Sequence, residues 1–170
     1  MCDRSQHQPI PVRAAPGQES VWEYPRPPRA EPSRSRIEVV LGGQAIIATT
    51  RSYRVLETSH PPTYYLPVRD AVPGALVPVD GGSWCEFKGR AAYFDLHGGD
   101  RVVAHAAWTY PEPTPTYAML RGHVGLYPGL VDRCTVDGEV VRPQPGGFYG
   151  GWVTDAVVGP FKGEPGTAGW

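Results

Sequence analysis

The sequence predicts an all-β fold with one short helix and an ordered strap at its C-terminal end. Three observations carry this. Twenty prolines and 21 glycines fall largely as punctuation between short apolar runs. Several of those runs alternate between two faces with the period of a strand. Pairs of turn residues, Gly42-Gly43, Gly98-Gly99 and Asp137-Gly138, join runs that can fold back as hairpins.

The elements follow in order. Residues 1–36 are rich in Pro, Arg, Ser and Glu, a composition that cannot bury enough apolar area to offset its ordering entropy. Residues 1–18 are expected to be a flexible arm and residues 19–170 one domain, with Trp22 and Tyr24 pinning the start of that body. Ile37–Thr49 reads as a hairpin turning at Gly42-Gly43. Tyr53–Glu57 reads as a third strand, and Thr58-Ser59-His60-Pro61-Pro62 as a rigid bend. Thr63–Leu66 is a further strand. Residues 68–82 carry Pro73 and Pro78, which exclude a long helix there. Trp84–Phe87 and Ala91–Leu96 read as strands flanking a bulge at Lys88-Gly89. Arg101–Tyr110 is a long strand, Tyr117–Arg121 the short helix, His123–Tyr127 a strand and Cys134–Val141 a hairpin. The last 25 residues are Gly-rich, but five aromatics among them give enough apolar area to dock as a strap.

Composition narrows function. The formal net charge is −1, and the basic residues are scattered among acids, so nucleic acid is not an expected partner. No apolar run has the roughly 18 residues of a membrane span, so a membrane is not one either. Cys2, Cys85 and Cys134 form no CxxC pair, so neither a structural zinc nor another metal or cofactor is expected. The sparse thiols and the lack of an apolar N-terminal segment point to the cytoplasm. A small-molecule ligand is the expected partner, and a homodimer is compatible with the sequence.

Only two of the 16 basic residues are lysines, and both stand in the same tripeptide, Phe87-Lys88-Gly89 and Phe161-Lys162-Gly163. In a chain that otherwise uses Arg, a Lys suits a compact point charge or an amine able to lose its proton. Glu57 and His60 lie on the proline-fixed bend, where a carboxylate and an imidazole can form an acid/base pair or serve as a structural corner. Cys85 is either a thiol activated by Lys88 or a small buried side chain. Tyr65, Tyr93, Trp108 and Tyr110, with Trp84 and Trp152, offer aromatic walls for a flat or apolar molecule.

Glu19–Pro28, Leu56–Tyr65, Cys85–Gly89 and Ala107–Pro113 resemble the family known as domain of unknown function 427, over roughly residues 19–170. The segments Gly146–Trp152 and Gly159–Gly163 resemble its single-domain actinobacterial members. The resemblance implies a β-tent-like arrangement, shared with methionine sulfoxide reductase B and the ligand-binding domain of cereblon, in which two antiparallel sheets meet at an angle around a pocket. The family's nucleotidyltransferase-like label would need two carboxylates one residue apart; here Asp95 is followed at that spacing by His97, a poor magnesium pair. The reading is therefore a small-molecule enzyme of unknown reaction with its pocket between the sheets. Glu57, Lys88 and His60 are the catalytic candidates, and Tyr65, Tyr93, Trp108, Tyr110 and Cys85 the substrate-binding ones. The alternatives are a non-catalytic binding module and a structural or interaction protein.

Overall fold

The computed structural model describes residues 9–170, so Cys2 and the first half of the arm lie outside the described residues. The strands, in chain order, are β1 (Glu19–Ser20), β2 (Arg29–Ser33), β3 (Ile37–Leu41), β4 (Gln44–Thr49), β5 (Ser52–Leu56), β6 (Thr63–Pro67), β7 (Leu76–Cys85) and β8 (Gly89–Gly98). There follow β9 (Arg101–Thr109), β10 (His123–Leu126), β11 (Arg133–Val136), β12 (Glu139–Val140), β13 (Arg142–Pro143), β14 (Trp152–Val153) and β15 (Val157–Val158). The molecule is all-β, as its punctuation predicts. A seven-stranded antiparallel sheet runs β2-β5-β6-β10-β9-β8-β7, and a four-stranded one runs β12-β11-β3-β4. Two small ribbons complete it, parallel β1-β15 and antiparallel β13-β14.

The helix expected at Tyr117–Arg121 is the 3-10 segment Pro115–Leu120, with single 3-10 turns at Val21–Glu23, Val68–Asp70 and Pro128–Leu130. Among the described residues no helix is long and apolar enough to cross a membrane.

Two strands depart from the sequence reading for one reason. β2 contains Pro32 and β7 contains Pro78, yet both pair. Each lies at an edge of the large sheet, where a residue without an N–H costs no ladder bond. The strand expected at Trp84–Phe87 is the end of β7. Glu86–Lys88 is a turn, so Lys88 sits at the tip of the β7–β8 hairpin and not in a bulge.

The main core lies between the two sheets. Ile37, Val39, Leu41, Ile46 and Ile47 from the small sheet pack on Tyr64, Leu66, Leu96, Ala107, Val124 and Leu126 from the large one. The β3–β4 and β8–β9 turns touch backbone to backbone at one end of this layer. A Cβ on Gly98 would strike the Leu41 carbonyl, and one on Gly42 would strike the Gly98 carbonyl. The outer face of the large sheet carries a second cluster, in which Val55, Tyr65, Ala91 and Tyr110 meet Tyr117 and Leu120 of the 3-10 segment.

The described N-terminal residues and the C-terminal strap are bound to the body and to each other. Val12 N–H donates to the Gly159 carbonyl (2.8 Å), and the Gln18 side chain donates to the Asp155 carbonyl (2.8 Å). Trp22 Nε1 donates to the Pro160 carbonyl (2.9 Å), and its ring meets Trp170 edge-on at 5.4 Å. In the C-terminal strap Trp152 is fully buried, with its ring 4.9 Å from that of Tyr64.

Candidate functional site

A cleft of about 390 Å³ lies on the outer face of the large sheet. The pocket expected between the sheets is thus displaced, because that interlayer is filled by the main core. Strand alternation makes the switch: Tyr64 and Leu66 point into the core, while Tyr65 between them points the other way, onto the cleft floor.

Three segments border this floor. The first is the bend after β5. Ser59 holds it in a left-handed conformation (φ 71°) that a non-glycine residue adopts only when its surroundings enforce it. Here Ser59 N–H donates to the Val21 carbonyl (3.1 Å), and its own carbonyl accepts from Lys162 N–H (2.9 Å). The bend thereby places Glu57 and His60 on the rim. The second segment is the β7–β8 hairpin tip. The Thr114 hydroxyl donates to the Phe87 carbonyl (2.6 Å) and Thr114 N–H to the Lys88 carbonyl (3.1 Å), which fixes the tip over the sheet. The third is the strap with the residues just before it, which bring in Gln144, Phe148, Tyr149 and Lys162.

The floor is aromatic. Trp108 Nε1 donates to the Tyr65 hydroxyl (3.1 Å), and the two rings meet edge-on. Trp108 has two glycine neighbours. A Cβ on Gly125 would lie 2.7 Å from its ring, and one on Gly150 would overlap it. Burial raises the Tyr65 and Tyr110 hydroxyls well above the usual phenol value, so both are neutral hydrogen-bonding groups and not bases at physiological pH.

At one end stands the Glu57–His60 pair. Glu57 Oε2 lies 3.4 Å from His60 Nε2 and 3.4 Å from Arg26 Nη2. His60 Nδ1 lies 3.0 Å from Gln144 Nε2. The Gln144 amide is oriented by its other contacts. Its oxygen accepts from Gly151 N–H (3.1 Å), and its nitrogen donates to the Lys162 carbonyl (2.8 Å). Its nitrogen therefore faces His60 as a donor, and Nδ1 must accept. The imidazole proton then sits on Nε2, the nitrogen nearer Glu57. Burial holds the His60 pKa down to about 4, helped by the nearby Lys162 and Arg26 charges and opposed by Glu57. His60 is neutral at pH 7.

Lys88 reaches the cleft from the hairpin tip. It is only 9% exposed, with Nζ 3.6 Å from Cys85 Sγ and about 6 Å from the Tyr110 and Tyr117 rings. Among the described residues no carboxylate forms an ion pair with it. Lys162, from the second Phe-Lys-Gly, reaches the same cleft, but its ammonium donates to the Trp170 backbone oxygen (3.1 Å) and lies over Tyr149.

Glu57, His60, Tyr65, Cys85, Lys88, Trp108 and Tyr110 therefore line one cleft, and Tyr93 does not. Tyr93 pairs with Trp108 across β8 and β9 and so shares its face, but its hydroxyl bonds Ser83 (2.6 Å) and its ring turns toward His105. Trp152 is a core residue and no wall. Asp95 accepts the His105 backbone N–H (2.9 Å), a cross-strand contact at the irregularity in the β8–β9 pairing. Sequence reasoning missed Gln144 and Tyr149. The repeated tripeptide was the available signal for Lys162.

A family model described as domain of unknown function (DUF427) matches residues 29–137. The chain belongs to this family. No curated protein matches it. The DUF427 match spans β2 to β11, and with them the cleft floor, the bend and the hairpin tip. It is narrower than the 19–170 that the sequence resemblance suggested. Gln144, Phe148, Tyr149 and Lys162 are additions from beyond the DUF427 segment.

Proposed function

We propose that the cleft is an active site for proton transfer on a small organic molecule, with Glu57 as the base and Lys88 as the cation that holds negative charge on the substrate. One observation supports the reading above all. The bend, the hairpin tip and the strap, far apart in sequence, bring a carboxylate, an imidazole and an unpaired ammonium to one aromatic cleft. Convergence of titratable groups in a concave site is what acid/base catalysis needs.

The roles follow from the local bonding. His60 Nδ1 is taken by Gln144 and its Nε2 lies 3.4 Å from Glu57 Oε2, so it acts as a positioning residue beside the carboxylate. Glu57 Oε2 is engaged by His60 and Arg26. Its second oxygen faces no donor among the described residues and is the atom suited to take a proton. Lys88, close to Cys85 and Tyr110, stabilises the anion that proton removal leaves.

The test uses deuterium. A metabolite extract is incubated with the protein in heavy water, and label uptake is followed by mass spectrometry. A set of features labelled by the wild type and not by Glu57→Gln or Lys88→Met, with both variants folded, is expected. Identical labelling by wild type and Glu57→Gln would refute Glu57 as the base. A saturable thermal shift with no labelled feature would favour a binding module instead.

A further inference from the structure

The unpaired ammonium and the aromatic rim together specify a ligand class. We propose that the cleft takes a planar aromatic carboxylate, its carboxylate on Lys88 and its ring against Trp108 between Trp84 and Phe148. The proposal deepens the reading of the cleft as a ligand site, but it does not require Glu57 to be a base.

The charge argument starts from Lys88. A buried cation without a carboxylate partner is costly, and a thiol with two ring faces makes up only part of its lost hydration. The missing partner is an anion supplied by the ligand. The other charged groups of the cleft do not offer this seat. Lys162 is already bonded to the Trp170 backbone oxygen, and the Glu57 carboxylate repels a second anion beside it. A single ammonium suits a carboxylate. A phosphate would call for a guanidinium fork or several backbone N–H groups.

The shape argument comes from the rim. Trp84 is 74% exposed and Phe148 is 77% exposed, which places them among the most exposed large apolar side chains of the described residues. Both line this cleft, one from β7 and one from the strap. Exposed rings on two elements that border one cleft, above a Trp108 floor, offer stacking faces to a flat ligand.

The experiment measures binding of benzoate, benzamide, cyclohexanecarboxylate and phenyl phosphate to the full chain by calorimetry and tryptophan fluorescence. Benzoate is expected to bind about 10- to 100-fold more tightly than benzamide, the range for a charge-assisted hydrogen bond. It should also outbind cyclohexanecarboxylate. Lys88→Met should erase the preference over benzamide, and Trp84→Ala with Phe148→Ala the preference over the saturated acid. Equal affinity for benzamide or for cyclohexanecarboxylate, tighter binding of phenyl phosphate, or no binding of any of the four overturns the proposal. The wild-type comparison needs no variant to fold. Benzoate selectivity alongside unchanged heavy-water labelling by Glu57→Gln would keep this proposal and remove the acid/base one; the reverse pattern would do the opposite.

Discussion

His60 is the cleft residue whose charge near neutral pH is decided by its place. Its folded-state pKa of about 4 lies below the ordinary 6.5 because the imidazolium would be desolvated. The sign follows: between pH 6.5 and 4 the unfolded chain takes up a proton that the folded one refuses. Stability is complete above pH 6.5 and falls with acidification, by at most about 1.4 kcal/mol per pH unit from this one group. Urea unfolding at pH 7 and pH 5 should show that loss in the wild type and a flatter dependence in His60→Gln. Equal slopes would mean that His60 is not the titrating group. Glu19 and Asp70, whose carboxyls are held below their usual range by Arg54 and by Thr49 with Arg51, lose their contribution only at lower pH. The bend carrying Glu57 and His60 was legible because prolines flank it and its polar residues have no strand pattern. The Gln144 contact was not, since nothing in a local window ties residue 144 to residue 60.

At the scale of elements, β6, β9 and β10 build the floor, and small residues decide its shape. Gly125 stands opposite Trp108 in the β9–β10 pairing and leaves room for the indole. Gly125→Ala should push that ring from its seat at a cost of about 1–3 kcal/mol, the usual penalty of overpacking. Chemical denaturation reads the loss, and weaker ligand-induced quenching of tryptophan fluorescence reads the damaged floor. Wild-type stability and quenching in the variant would show that the indole has slack. The period-two runs of β3, β5 and β9 made these strands readable. The face that carries the cleft was not readable from β6, because Tyr64, Tyr65 and Leu66 are apolar on both sides. All of β7 but its end escaped notice because Pro78, Asp80, Gly81 and Gly82 are poor strand formers, and only its edge position lets the strand form. Tyr93 misled for a related reason. Shared periodicity put it on the face of Trp108, but its hydroxyl found Ser83 instead.

Across the whole molecule, the DUF427 segment supplies the sheets and the strap completes the cleft. The strap is anchored in the main core through Trp152, so it is part of the fold and no detachable cover. Trp152→Ala should cost about 3–5 kcal/mol. It should also lower affinity for cleft ligands, since Gln144, Tyr149 and Lys162 lie on either side of it. Unchanged thermal stability would show that the strap contributes little to the core. Its five aromatics announced docking in the sequence, but not the destination.

The hydrogen-bonded amide of Gln144 couples that docking to acid. It donates to His60 Nδ1 only while Gly151 and the Lys162 carbonyl orient it, that is, while the strap is seated. An imidazolium carries hydrogen on Nδ1 and would turn this contact into donor against donor. Seating the strap and charging the ring are therefore antagonistic events. By reciprocity, each proton the ring accepts weakens the strap's hold by the same free energy with which a seated strap repels that proton. Proton concentration thus becomes an effector of how tightly Gln144 and its neighbours are held against the bend, within a strap that stays part of the fold.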